Sequence, residues 1–130
     1  EIMAMAAMHR GLAGIVLNGA VRDAEKLRAE QWPVFAASIY AQQCRKDGPA
    51  WLQMTIDCAG VSVHPGDLIV GDDDGVVVVP LLSIASVAKE VVKKMEKERL
   101  RIASISQGFI SPAWLDVAIE RAGLVLSVNQ

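Results

Sequence analysis

The stretch GIVLNGAVRD, residues 14–23, constrains the fold of this chain more than any other. A short apolar run between glycines reads as a strand, and it stops on a charged pair, Arg22-Asp23. The next residues, DAEKLRAEQ (23–31), are strong helix formers with Asp23 at their start, where a short polar side chain suits a helix N-terminus. Pro33 ends that helix, and VFAAS (34–38) reads as a second strand. The whole is a β-turn-α unit with a short crossover helix.

The flanking segments fit an α/β chain. Ile2, Met3, Met5, Ala6 and His9 recur at helical spacing, and Gly11 is placed to stop that helix. YAQQCRKDGPA (40–50) is polar and turn-rich, which predicts a loop. WLQMTIDC (51–58) alternates as a strand does, and AGVSV (59–63) continues it or starts another. HPGD (64–67) suits a type II turn. LIVG, DDDG and VVVVP (68–80) read as a hairpin with Asp74-Gly75 as the favoured turn pair. From Leu81 to Ser106 the pattern is helical, with Ile84, Val87, Val91, Met95, Ile102 and Ile105 as a partial apolar stripe. Gly108 is a stop. Ser111 as N-cap and Pro112 at the first helical position predict a last helix over AWLDVAIERAG (113–123). The expected organisation is a β-rich core over residues 1–80 with flanking helices, and a C-terminal helical extension over 81–130. The extension's apolar stripe needs a surface, which a partner subunit would supply.

Length and composition set bounds on partners. The chain has 130 residues, of which 52% are hydrophobic, enough for one domain with a real core. Its formal net charge of −2 argues against nucleic acid, which calls for a clustered basic face. Six of the thirteen basic residues lie between Lys89 and Arg101, interleaved with Glu90, Glu96 and Glu98, as on a solvated helix face. Cys44 and Cys58 have no CxxC spacing, so two buried thiols in a reducing compartment are expected rather than a disulfide. The opening EIMAMAAMHRG is too short to span a membrane and lacks a signal-peptide pattern. A cytoplasmic protein with no membrane partner is therefore expected. The chain opens inside an apparent helix with no initiator Met, so an N-terminal part is expected to precede it.

Few residues suggest chemistry. His9 and His64 are far apart in sequence and are expected to be structural. Asp72-Asp73-Asp74 could attract a cation, but neighbours on a hairpin point to opposite faces, which favours turn chemistry and solubility. Arg22-Asp23 has two readings. A guanidinium offers a planar fork for a carboxylate or enolate oxygen, and an aspartate at a helix start can hold a hydrated Mg²⁺. Alternatively the pair is an ordinary N-cap beside a surface arginine. The residues alone leave both open.

Taken together and in order, GIVLNGAVRD, GVSVHPGD (60–67) and GDDDGVVVVP (71–80) resemble a known family. It contains the 4-hydroxy-4-methyl-2-oxoglutarate and 4-carboxy-4-hydroxy-2-oxoadipate aldolases and the regulator of ribonuclease activity A. The resemblance runs from Glu1 to about Pro80, and RIASISQGFISPAWLDVAIERAG (101–123) looks like the C-terminal extension of many relatives. It implies a swivelling β/β/α domain, phosphohistidine-domain-like, assembled as a homotrimer or hexamer with active sites at subunit interfaces. Aldolases of the family carry an acidic residue, twenty intervening residues, then Arg-Asp. Arg22 and Asp23 match, and Glu1 falls at the acidic position, where Asp is common. Ile2 and Met3 match positions whose backbone N–H groups hold the pyruvate carboxylate.

The implied activity is metal-dependent retro-aldol cleavage of a 4-hydroxy-2-oxo acid to pyruvate, with oxaloacetate decarboxylation by the same enolate chemistry. Asp23 would hold Mg²⁺ or Mn²⁺, and Arg22 would stabilise the enolate. The residues that differ from the family pattern, SIYAQQCRKDGPAWLQM (38–54), lie near the ligand in relatives and bear on substrate choice. The alternative is a non-catalytic module that regulates a ribonuclease. The presence of Asp23 favours the enzyme.

Overall fold

The computed structural model describes residues 1–43 and 47–123; Cys44 lies outside them. The chain divides into two units, Glu1–Ile84 and Ala85–Gln130. It is a mixed α/β chain of short sheets with one long helix.

The first unit opens with helix α1 (Ile2–His9), which closes on Gly11. Gly11 has φ +74° and its amide donates to the Met8 carbonyl, while the Leu12 amide donates to Ala7. This pair of backward bonds is a Schellman ending, and it needs a left-handed residue that glycine supplies without strain. Strand β1 (Ile15–Val21), helix α2 (Ala24–Ala29) and strand β2 (Val34–Ile39) come next. The two strands pair in parallel, from Ile15 opposite Val34 to Val21 opposite Ile39. Parallel neighbours cannot be joined by a tight turn, so α2 is the crossover that the pairing requires. Between Leu17 and Ala20 the register slips: three steps along β1 match two along β2, leaving one extra residue at Asn18-Gly19. A bulge of this kind re-aims the chain beyond it, and here the chain continues into Arg22-Asp23. Trp32 Nε1 donates to the Leu12 carbonyl at 2.8 Å, tying the end of the α2 segment to the entry of β1.

Two antiparallel hairpins complete this unit. The segment 51–58 is not a strand throughout: only Ile56–Cys58 forms β3. Gln53, at φ +56°, interrupts the extended run that the alternation predicts. Val61–Val63 is a separate strand, β4, paired with β3 through the Ala59-Gly60 turn. There Asp57 Oδ1 accepts from the Gly60 amide. Strands β5 (Leu68–Asp72) and β6 (Gly75–Val79) form the second hairpin. Its turn residues are Asp73 and Asp74, with Gly75 already paired to Asp72, rather than Asp74-Gly75 as expected. Asp72 Oδ1 accepts from the Asp74 amide, a local turn bond that shifts the corner back by one residue.

The β5–β6 hairpin meets the parallel pair at one tight point. A methyl group on Gly71 would stand 2.6 Å from the Phe35 ring, so β5 approaches β2 as closely as it does because residue 71 has no side chain. The His64–Asp67 turn is held by Asp67, whose side chain is 4% exposed. Its carboxylate accepts from the amides of His64 at 2.8 Å and Leu81 at 3.0 Å. These two bonds, helped by the nearby His64 ring, hold its pKa below the usual carboxylate value. Asp67 thereby fastens the turn to the short 3₁₀ helix α3 (Leu81–Ser83), which precedes the long helix.

The long helix α4 (Ile84–Ser106) carries the pairs Lys93–Glu90, Lys94–Glu98 and Arg99–Glu96 on its surface, as a solvated face should. It too ends in a Schellman motif, at Gly108. Arg101 then donates to the carbonyls of Phe109 and Ile110, supporting the turn into helix α5 (Ala113–Arg121). Pro112, with ψ 144°, is the N-cap of α5. The expected cap, Ser111, lies one residue earlier, because an extended Pro112 belongs to the approach and not to the first turn.

The largest departure from expectation is the core. Among the described residues only Val79 is buried, at 8% exposure. Strand β1, despite its apolar run, leaves Ile15 and Val16 exposed, and Ile2 and Met3 of α1 are 81% and 80% exposed. Three sheets of two strands each leave every sheet face with little to cover it. Cys58 is a half-buried free thiol, not a fully buried one.

Two outcomes are expected. Gly71→Ala should lower urea-unfolding stability by about 1–3 kcal/mol through overpacking. In a Phe35→Leu background, which shortens the facing side chain, most of that loss should disappear. Asp67 contributes stability that is fully present above its unfolded-state pKa and is lost as pH falls through its lowered folded value. Asp67→Asn should therefore flatten the acid limb of the urea midpoint below about pH 5.

Candidate functional site

The parallel pair decides where the charged residues go. Arg22 and Asp23 leave the carboxyl end of β1 directly into α2. In open α/β sheets that end is where ligands bind, because the βα turns and helix N-termini gather there. Asp23 occupies the N-cap position of α2, but not as an ordinary cap. Its backbone is left-handed, at φ 58° and ψ 35°, and its side chain makes no capping bond. The carboxylate turns instead toward the other charges. Its Oδ2 lies 3.7 Å from Arg22 Nε and 3.5 Å from the Glu1 backbone nitrogen.

The structure thus brings Glu1 together with Arg22 and Asp23 from the far side of a helix and a strand. It also adds Lys26, which the sequence pattern does not single out. Lys26 Nζ lies 2.8 Å from both Oε1 and Oε2 of Glu1. The hydrogen bond to Glu1, then the charge of that carboxylate, and after these the charge of Asp23, hold the Lys26 pKa above its ordinary value. A signal was present in the sequence: Asp23 and Lys26 stand three apart at the start of a helix, the spacing that puts two side chains on one face. Ile2 and Met3 are the first residues of α1. Their amides belong to the first turn, where a helix offers no internal acceptor and its dipole favours an anion.

Beside this corner, α2 and β2 border a groove of about 280 Å³. Leu27, Trp32, Val34 and Ala36 give it an apolar lining, and Val21 and Ala24 bring it next to the charged pair. Arg22 and Asp23 themselves stand outside it. Elsewhere the charged sequence features do not converge. His64 sits beside Asp67, its Nδ1 3.5 Å from Oδ2, in a structural turn. His9 ends α1. Among the described residues no three His, Cys, Asp or Glu side chains group closely enough to hold a metal ion. Asp72, Asp73 and Asp74 lie at the β5–β6 corner, where Asp72 Oδ1 accepts from the Asp74 amide.

The donor set at the corner has a definite chemistry. One carboxylate, Asp23, cannot build the closed tetrahedral cage that zinc takes. It does fit Mg²⁺ or Mn²⁺, hard ions that keep several waters and use one or two protein oxygens beside those of a substrate.

A βα turn at the carboxyl end of a parallel pair, carrying Arg-Asp beside a helix N-terminus, makes this an α/β protein with opposite charges gathered at one corner. Residues 1–78 match the family described as RraA-like, Aldolase/RraA, and the chain belongs to that family. It is 33% identical over 78 residues to a 4-hydroxy-4-methyl-2-oxoglutarate aldolase of Thermus thermophilus, covering 60% of this chain and 48% of that protein. It is 30% identical over 128 residues to protein DlpA of Legionella pneumophila, covering 95% of this chain and 20% of that one. A crystal structure of an uncharacterized protein from Pseudomonas syringae pv. tomato superimposes with a TM-score of 0.72 at 30% identity, covering 82% of this chain and 54% of that one. The chain spans about half the length of most of the curated relatives it matches. No helix among the described residues is long and apolar enough to cross a membrane.

The left-handed backbone of Asp23 separates its structural role from any chemical one. Asp23→Gly should be about 1 kcal/mol more stable than Asp23→Ala, because only glycine takes that conformation freely. Urea unfolding of the two variants measures the difference.

Proposed function

We propose that this chain forms the catalytic corner of a metal-dependent lyase that cleaves a 4-hydroxy-2-oxo acid to pyruvate, and that the same chemistry decarboxylates oxaloacetate. The observation that carries the reading is the meeting of Glu1, Arg22 and Asp23 at the carboxyl end of β1. The aldolase name of the Thermus thermophilus relative supports it. The fold we propose for the family core is the swivelling β/β/α domain, assembled as a homotrimer or hexamer in the cytoplasm.

Asp23 would hold Mg²⁺ or Mn²⁺, which when bound supplies Lewis-acid polarisation of the substrate keto group. The amides of Ile2 and Met3 would take the carboxylate beside that group, as free donors at a helix N-terminus do. Cleavage breaks the bond between C3 and C4. The electron pair moves into the enolate of pyruvate, the 4-hydroxyl passes its proton to water, C4 becomes a carbonyl, and the enolate takes a proton from water at C3 to give pyruvate. Negative charge thus develops on the former keto oxygen, and Arg22 would meet it. Its guanidinium donates through a fixed planar fork. In oxaloacetate the C3–C4 bond is the bond to the departing carboxylate; it breaks with release of CO2, and the same enolate forms.

In the full chain with Mg²⁺, pyruvate should be released from oxaloacetate and from at least one 4-hydroxy-2-oxo acid. EDTA should abolish the release and added Mg²⁺ or Mn²⁺ restore it. Arg22→Ala should lower kcat by about 10²–10³, the usual loss of a donor to developing charge. Asp23→Gly, which keeps the backbone conformation, should be inactive at all metal concentrations. Release that persists equally in EDTA and in Asp23→Gly would rule the reading out.

A further inference from the structure

Lys26 is the member of the charged corner to which the proposed cleavage gives no task. It stands three residues after Asp23 on α2, and its Nζ grips both oxygens of the Glu1 carboxylate at 2.8 Å. Glu1 is in turn anchored next to Asp23, its backbone nitrogen 3.5 Å from Oδ2. A carboxylate held in this way, within the span of one residue from Asp23, shows where a second carboxylate near Asp23 would find its cation. The Lys26 side chain is 65% exposed, so a ligand arriving from water can reach it.

The charges distinguish two substrate classes. A 2-oxo monoacid carries one carboxylate, and under the aldolase reading, on which this inference rests, that group belongs to the α1 amides. Arg22 is engaged with the oxygen where charge develops. A 2-oxo diacid brings a second carboxylate at its far end, and the cation of the corner not already committed to the reacting end is Lys26. We propose that Lys26 is a specificity-determining residue that reads the distal carboxylate of a dicarboxylic 2-oxo acid, exchanging its Glu1 partner for that of the substrate. The exchange replaces one carboxylate with another, so the hydrogen bonds and the ion pair are conserved. An exposed lysine–carboxylate pair contributes little net stability, so Glu1 yields its place at small cost.

Binding isolates this step from cleavage. 2-Oxoglutarate is a diacid without the 4-hydroxyl that retro-aldol cleavage needs, and 2-oxobutanoate is the corresponding kind of monoacid. Calorimetric titration of the full chain in Mg²⁺ should show Lys26→Met binding 2-oxoglutarate about fivefold more weakly. 2-Oxobutanoate should bind as it does to the unaltered chain, and Lys26→Arg should keep the preference for the diacid. The same selectivity should appear as a raised KM for dicarboxylic substrates with kcat little changed. Equal losses for both acids, or no loss for either, would overturn the assignment while leaving the aldolase reading intact wherever the unaltered chain still releases pyruvate. An unaltered chain that binds neither acid and releases no pyruvate would overturn both.

Discussion

The parallel pairing of β1 with β2 is the constraint on which the site depends. A parallel neighbour demands a crossover, and the crossover here is short: α2 has six residues between two strands. A short crossover must begin immediately where β1 ends. The turn therefore falls on Arg22 and Asp23, and the bend is tight enough that Asp23 takes a left-handed conformation. That conformation carries its carboxylate away from the capping position it would fill in an ordinary helix start and toward α1. The charges meet because the backbone leaves them there.

The second constraint is the scarcity of buried surface. With Val79 alone buried among the described residues, the apolar positions that the sequence offers as a core are mostly in contact with water. Residues such as Ile2, Leu52 and Leu82, which is 97% exposed, are costly to leave so, at roughly 25 cal/mol for each Å² of apolar surface. Exposed apolar surface on this scale is the kind that a protein interface would cover. The proposed oligomer with sites between subunits is one arrangement that would cover them. It would also surround the Arg22–Asp23 corner, lowering the local dielectric and strengthening each charge interaction there.

Legibility in the sequence tracks the range of the forces involved. The helix stops at Gly11 and Gly108 were legible because a Schellman ending is settled within about six residues. The turn at Pro65-Gly66 was legible for the same reason, with Gly66 at φ +94° and the Asp67 amide donating to the His64 carbonyl. The run Trp51–Thr55 misled, since alternation alone cannot supply a strand with a partner, and β3 extends only as far as β4 pairs with it. The hairpin corner moved by one residue because Asp72 competes for the Asp74 amide, a bond that the preference for Asp-Gly does not include. Arg22 and Asp23 stood out as an unusual pair at a strand end. Their companion Lys26 did not, because its significance depends on Glu1 folding back across more than twenty residues.

Charge accounting ties the corner together. The side chains of Glu1, Arg22, Asp23 and Lys26 carry two charges of each sign, and all lie near the surface, where pairs of this kind add little to stability. Their arrangement is better explained by what they would exchange. A divalent cation together with a doubly charged 2-oxo acid is also neutral, so binding both leaves the net charge of the corner unchanged. Each protein charge then trades one partner for another of the same sign: Lys26 gives up one carboxylate for a second, and Arg22 turns from Asp23 toward the oxygen where negative charge develops. A monoacid would leave one of these trades unmade and a positive charge over, so the proposed exchange would favour the diacid.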